Sequence, residues 1–235
     1  MLPVTKTTNK PHIRAIKMAC DEPIGEIPHP LPDHAFSMLV VSSPGEGKTT
    51  FATSLLTKGG PYFKKFNRLV VIQPKNSRAS YADDPWKNHP RVHDDLTAEV
   101  LQKILDEAKA LAEDELNTCV LIDDFAYTLK DKAIERQLRE LFFNRRHARI
   151  SVILISQTLK SIPPSLRRTA SHLVVFRPPN AVEAGIIQSE FIFVDRKQAA
   201  ALWDQVFQQK YDHLLVWTAS RRVFRNFDEL TLPSI

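Results

Sequence analysis

Apolar residues along this chain gather into short unbroken runs. Met38-Leu-Val-Val41, Leu69-Val-Val-Ile72, Cys119-Val-Leu-Ile122, Ile150-Ser-Val-Ile-Leu-Ile155 and Leu173-Val-Val-Phe176 are each rich in β-branched residues. A run of this kind reads as a strand buried on both faces, the pattern of a parallel sheet. Between the runs, apolar positions recur at helical spacing. Leu101, Ile104, Leu105, Ala108, Leu111 and Ala112 predict one helix, with Thr97 as its N-cap. Ile134, Leu138, Leu141 and Phe142 predict a second over 133–146, and Leu202, Trp203, Val206 and Phe207 a late one. Thr49 to Lys58 has helix-compatible composition and stops at Gly59-Gly60. Leu214–Trp217 and Val223–Phe227 predict a closing hairpin. Strands alternating with helices predict an α/β fold: a mostly parallel sheet with helices on both faces.

The polar stretches set the organisation. Residues 1–35 are rich in Lys, His and Pro, with Pro23, Pro28, Pro30 and Pro32, and predict an irregular N-terminal arm. Residues 36–235 then form a single domain, a length that one α/β domain often reaches. Residues 74–95, with Pro74, Pro85 and Pro90, predict a long exposed excursion.

Two sites of chemistry stand at the ends of these runs. The first run leads into Ser42-Ser-Pro-Gly-Glu-Gly-Lys-Thr-Thr-Phe51. The second half of the phosphate-loop pattern G-x-x-x-x-G-K-[ST] is filled by Gly47, Lys48 and Thr49, while Ser42 stands where the first glycine is expected. Strand, loop and helix N-terminus together aim backbone N–H groups at phosphate. The expected cradle is Ser43, Pro44, Gly45, Glu46, Gly47, Lys48, Thr49 and Thr50, with Lys48 on the β/γ oxygens and the Thr49 hydroxyl on Mg²⁺. The run at 119–122 ends in two carboxylates, at the strand end where α/β sheets bind ligands. Asp123 is the candidate for holding Mg²⁺ through water, and Asp124 for orienting or deprotonating the attacking water. Adjacent strand residues point to opposite sides, so the two should divide the work. Phosphate loop and paired carboxylates together point to a nucleoside triphosphate, ATP, with Mg²⁺.

Composition narrows the setting. Hydrophobic residues make up 43% of 235, enough for a sizeable core. The net charge of +5 permits nucleic acid as a partner. Cys20 and Cys119 are the two cysteines, so no disulfide framework is implied and a reducing intracellular compartment is expected. The first residues lack the apolar core of a signal peptide, and no run approaches membrane-spanning length.

The run at 150–155 continues into Ser156 and Gln157, which would sit beside the phosphate loop if this strand neighbours both the loop strand and the acidic strand. Gln157 could then sense the γ-phosphate or position water; a strand-end Gln bonded to a loop is the plainer alternative. Arg145, Arg146, His147 and Arg149 precede this run, and Lys160, Arg167 and Arg168 follow it. Charge runs are usually solvated faces. They also suit an arginine offered to a neighbouring subunit's γ-phosphate, or a polyanion.

In order and spacing, the phosphate loop, the Asp-Asp strand, "NRRHARISVILISQ" and "IPPSLRRTASHLVVFR" resemble the genome-packaging ATPases of large DNA viruses, virophages and relatives, the poxvirus-type branch of the FtsK–HerA superfamily. The resemblance runs from about Leu31 to about Phe227. It implies a RecA-like P-loop NTPase core, a ring of six or five copies, docking at a capsid vertex, and ATP-driven movement of double-stranded DNA of any sequence into a preformed capsid. It implies catalytic roles for Lys48, Asp124 and Gln157, and it favours Arg146, then Arg167, as the arginine acting in trans. The workplace it implies is the host cytoplasm, a viral factory or the virion. Asp124 departs from the superfamily's frequent Glu. A related pump for plasmid transfer or chromosome segregation, and a nucleotide-gated capsid assembly factor that moves no DNA, are the alternatives. DNA contacts are expected among Lys130, Lys132, Lys160 and the Arg221-Arg222…Arg225 segment.

Overall fold

The computed structural model describes residues 22–232. Cys20 and most of the expected N-terminal arm lie outside them. Nine strands form one sheet: β1 (Ser37–Val41), β2 (Arg68–Ile72), β3 (Val92–His93), β4 (Thr118–Ile122), β5 (Ile150–Ser156), β6 (His172–Phe176), β7 (His213–Trp217), β8 (Arg222–Arg225) and β9 (Asp228–Leu230). Seven α-helices accompany them: α1 (Lys48–Leu56), α2 (Lys75–Arg78), α3 (Ala98–Glu113), α4 (Lys132–Phe143), α5 (Pro164–Thr169), α6 (Ala181–Ile187) and α7 (Arg196–Val206). The strand order is β3-β2-β4-β5-β1-β6-β7-β8-β9. The first six in that order pair in parallel, and the last three add an antiparallel edge. This is the RecA-like P-loop architecture.

The alternation of side chains along each strand divides the core in two. Leu39, Val41, Val120, Ile122, Val152 and Leu154 face one layer, packed by α3, α4 and α7 through Leu101, Leu105, Leu138, Phe142 and Leu202. Met38, Val40, Cys119, Leu121, Ile153 and Ile155 face the other, where α1 contributes Ala52, Leu55 and Leu56. Helices therefore lie on both faces, though unevenly. The α1 side is completed by segments without regular structure, whose Leu31, Phe36, Tyr62 and Trp86 are buried.

Helix starts follow local chemistry. The Thr97 hydroxyl accepts from the Val100 N–H at 3.2 Å at the head of α3. Asp131 accepts from the N–H groups of Ala133 and Ile134 to open α4. Asp195 and Gln198 form a reciprocal capping box on α7.

Three expectations change. α4 ends at Phe143 and not at 146, so Arg146 lies beyond the helix. The 74–95 stretch is not wholly an exposed excursion. Trp86 within it is buried, Arg78 pairs with Asp94 at 2.5 Å, and Val92–His93 adds an edge strand beside β2. The closing hairpin gains a third strand, β9.

Arg167, on α5, is 8% exposed. Its guanidinium donates to both Glu190 carboxylate oxygens, at 2.8 and 2.7 Å, and to the carbonyls of Leu159 and Ile162. Both flanking segments are thereby tied to α5. Removing Arg167 leaves a partly exposed Glu190 and two carbonyls without their donor. Arg167→Ala should therefore destabilise the fold by about 3 kcal/mol, measured by urea unfolding. A change below about 0.5 kcal/mol would show that the pair is not holding these segments.

Candidate active site

The parallel register brings the sequence motifs to one edge. Val41 pairs with Ser156, and Leu154 with Ile122. The C-terminal ends of β1, β5 and β4 therefore lie side by side, with β5 in the middle. The phosphate loop leaves β1, the paired carboxylates leave β4, and Gln157 leaves β5. The Ser42 N–H donates to the Ser156 carbonyl at 3.3 Å, which ties the start of the loop to β5. Ser42, at the departing position of the motif, is buried, and its hydroxyl donates to the Ser43 carbonyl at 2.9 Å. Serine is thus satisfied locally and leaves the loop intact.

α1 begins in a way that most helices avoid. Gly47 is its N-cap, no side chain caps it, and its first turn holds no acid. Helix N-termini favour negative charge, yet this one opens with Lys48. An unsatisfied positive end carrying a lysine fits phosphate. Gly47 is required here on two counts. Its φ of +96° lies in the left-handed region, and a Cβ would stand 3.0 Å from Cδ1 of the Tyr211 ring.

Asp123 is 2% exposed. Its Oδ2 accepts from the Thr49 hydroxyl at 2.9 Å and from Gln73 Nε2 at 3.0 Å, while its Oδ1 is buried without a partner. Burial pushes the carboxyl above the usual carboxylate range, against the pull of Thr49 and the Lys48 charge. Thr49 and Asp123 fit Mg²⁺: a hydroxyl and a carboxylate in contact, hard oxygen donors, with one carboxylate oxygen still to be satisfied. Bound there, the ion would supply charge to the phosphate oxygens.

Asp124 differs from its neighbour. β4 ends at Ile122, and Asp124 has φ +68°, so a left-handed turn rather than strand alternation swings it outward. It is exposed, and its Oδ2 accepts from the Ser77 hydroxyl at 2.5 Å. Gln157 is also exposed, next to the loop. Arg146 is exposed and precedes β5, at the opposite end of the sheet. The seven residues of β5 separate it from its own loop by roughly 20 Å. It cannot serve the phosphate site of its own subunit. Arg167 is withdrawn from the trans role, because its donors are already taken within the chain.

Several residues here escaped the sequence reading. Gln73 follows β2 as Gln157 follows β5, and that strand-end position was a legible signal. Ser77 and Tyr81, the latter 3.2 Å from Gln73 Nε2, lie in the polar stretch and gave none. Beside the loop lies a cavity of about 640 Å³, lined partly by Phe51, Phe176, Tyr211 and His213.

Fold and site define a RecA-like P-loop nucleoside triphosphatase. The chain belongs to the poxvirus A32 protein family, whose model matches residues 29–227. Among solved structures, it is similar to the DNA-packaging ATPase B204 from Sulfolobus turreted icosahedral virus, with TM-score 0.61 and 16% identity over 81% of this chain and 96% of that one. B204 from Sulfolobus turreted icosahedral virus 2, in complex with ATP-gammaS, matches with TM-score 0.57 and 16% identity over 84% and 98%. The pCW3 conjugation coupling protein TcpA, with ATPgS, matches with TM-score 0.59 and 14% identity over 84% of this chain and 59% of that one. At such identities these likenesses speak to the fold. No curated protein matches.

The carboxylates yield a paired prediction. A buried acid whose folded pKa is raised binds protons more readily folded than unfolded, so its ionised form costs stability as pH rises above its unfolded value. Asp123→Asn should raise the melting temperature of the nucleotide-free protein at pH 8 and weaken Mg²⁺-dependent ATP binding by at least about tenfold. Asp124→Asn should leave binding within about twofold and slow turnover about 100-fold or more. Calorimetry and steady-state kinetics measure both. Equal losses of affinity in the two variants would contradict the division of roles.

Proposed function

We propose that this chain is the ATP-hydrolysing subunit of a motor that drives double-stranded DNA into a preformed capsid. The observation that carries the reading is the Thr49–Asp123 contact beside an uncapped, lysine-bearing helix start, in a chain of the poxvirus A32 family. The likeness to packaging ATPases of the same RecA-like fold supports it.

In this reading backbone N–H groups of residues 43–50 hold the ATP phosphates, and Lys48 neutralises the β/γ oxygens. Thr49 and Asp123 hold Mg²⁺, Asp124 orients the attacking water, and Gln157 senses the γ-phosphate. The Ser77 hydroxyl holds Asp124 through Oδ2 and leaves its other oxygen for the water. Copies assemble as a ring of five or six, and Arg146 of one copy reaches the phosphate of the next. Arg146 precedes β5 at the end of the sheet opposite its own loop, so a phosphate it met would belong to another copy. Capsid vertex proteins anchor the ring, and the work takes place in the host cytoplasm, a viral factory or the virion. Among the described residues, no helix is long and apolar enough to cross a membrane.

DNA is gripped through its phosphates, because a packaging motor must move any sequence. The candidates narrow. Arg222 pairs with Glu229 and Arg225 with Asp212, and Arg221 lies 4.2 Å over the Phe193 ring, so that segment is committed to internal contacts. Lys130, Lys132 and Lys160 are exposed, on segments that leave the C-terminal ends of β4 and β5. They place a cationic rim on the nucleotide edge of the sheet.

Duplex DNA should raise ATP turnover at least about fivefold, alike for two unrelated sequences. The logarithm of affinity should fall linearly with log salt, with a slope of about −0.9 per phosphate contacted. Replacing Lys130, Lys132 and Lys160 together by Ala should flatten that slope. No stimulation at any salt would favour a capsid assembly factor, and a strong preference for one sequence would contradict the motor.

A further inference from the structure

The cavity beside the phosphate loop is built more carefully than a phosphate site needs. Tyr211 sits over Gly47 although it is 55% exposed and has φ +73°. A bulky aromatic residue in the left-handed region costs energy and persists only where its surroundings hold it. Here Asp212 holds it. Its carboxylate accepts from the N–H groups of Gln208 and Gln209, from Asn226 Nδ2 at 3.1 Å and from Arg225 Nη2 at 3.1 Å. The loop is pinned so that the tyrosine ring stays over the start of α1.

Behind this ring stand three more. Phe51 and His213 meet edge to face with centroids 4.8 Å apart, and Phe176 lies 5.4 Å from His213. His213 is 6% exposed, and its Nε2 is buried with no hydrogen-bond partner. Its Nδ1 faces the Tyr211 carbonyl at 3.4 Å. A carbonyl only accepts, so this contact places the proton on Nδ1 and leaves a lone pair on Nε2. Burial lowers the imidazole pKa, which keeps the ring neutral at physiological pH. Nε2 has no accessible surface of its own, so a donor from a ligand in the cavity meets it once a neighbouring ring moves aside.

We propose that Tyr211 and Phe51 form the stacking walls of a nucleobase site, and that His213 Nε2 accepts a hydrogen bond from the 6-amino group of adenine. The inference rests on the ATPase reading of the adjacent loop and adds its base preference. α1 carries Lys48 and Thr49 on its first turn and Phe51 and Ser54 further along the same cavity wall. A nucleotide whose phosphates lie at the helix start therefore has aromatic surface within reach of its base. Guanine presents a carbonyl oxygen at position 6, which repels a lone pair, so the site selects adenine.

The test is isothermal titration of the full chain, with Mg²⁺, using ATP, purine riboside triphosphate (which lacks the 6-amino group) and inorganic tripolyphosphate. The wild type should bind ATP about five- to tenfold more tightly than purine riboside triphosphate, the worth of one hydrogen bond. His213→Phe should erase that difference. Tyr211→Ala should weaken both nucleotides about tenfold and leave tripolyphosphate unchanged. Equal binding of the two nucleotides by the wild type, which needs no variant to fold, would overturn the His213 assignment. Unchanged ATP affinity in Tyr211→Ala, a substitution at an exposed site, would overturn the stacking wall. Failure of tripolyphosphate to bind the wild type would instead strike at the phosphate loop itself.

Discussion

The site depends on where β5 lies. All seven of its residues are buried, and it pairs in parallel with β1 on one side and β4 on the other. Each fully buried Val, Leu or Ile contributes about 1.5–3 kcal/mol, so the strand's register is strongly held. A slip by one residue would send its apolar side chains to the wrong faces. With the register fixed, the ends of β1 and β4 stand one strand apart. That separation lets the Thr49 hydroxyl meet Asp123 at 2.9 Å. Neither motif could make the site alone.

Around that contact, stability gives way to function. α1 starts without a cap and with a cation on its first turn. Asp123 is buried with one oxygen unmatched, and His213 with one nitrogen unmatched. Each feature costs free energy in the empty protein, and in the reading proposed above phosphate, metal ion and base would relieve them in turn. Unmatched buried atoms also lie elsewhere, at Arg68, Trp86, Thr118, Gln137 and Arg145, while other polar side chains there are fully engaged. Arg167, for instance, spends its donors on Glu190 and two carbonyls. The same residue type stands buried and engaged at Arg167 and exposed at Arg146, before β5.

The sheet strands were legible because unbroken apolar runs leave little else for those residues to do. The phosphate loop and Asp123 were legible because their chemistry is local: a glycine, a lysine, a hydroxyl, and a carboxylate at a strand end. What sequence could not show was contact across the chain. Arg167 reads in the sequence as the second candidate for the trans role, and only the fold shows Glu190, 23 residues on, holding it. Gln73, Ser77 and Tyr81 acquire meaning only when β2 lies beside β4. Tyr211 and His213 lie far along the chain from Gly47, and the antiparallel edge brings them back to it. The expected α4 overran Phe143 although Asn144, which caps the helix, is itself a stop signal.

Translocation itself is the central claim, and displacement of a triplex-forming strand from a duplex measures it directly. A third strand bound in the major groove is removed only when something moves along the DNA. The account predicts ATP-dependent displacement from duplexes of unrelated flanking sequence by the wild type, and none by Lys48→Ala, which binds DNA but cannot hold the β/γ phosphates. ATP hydrolysis by the wild type with the third strand left in place, on DNA that it demonstrably binds, would contradict the account.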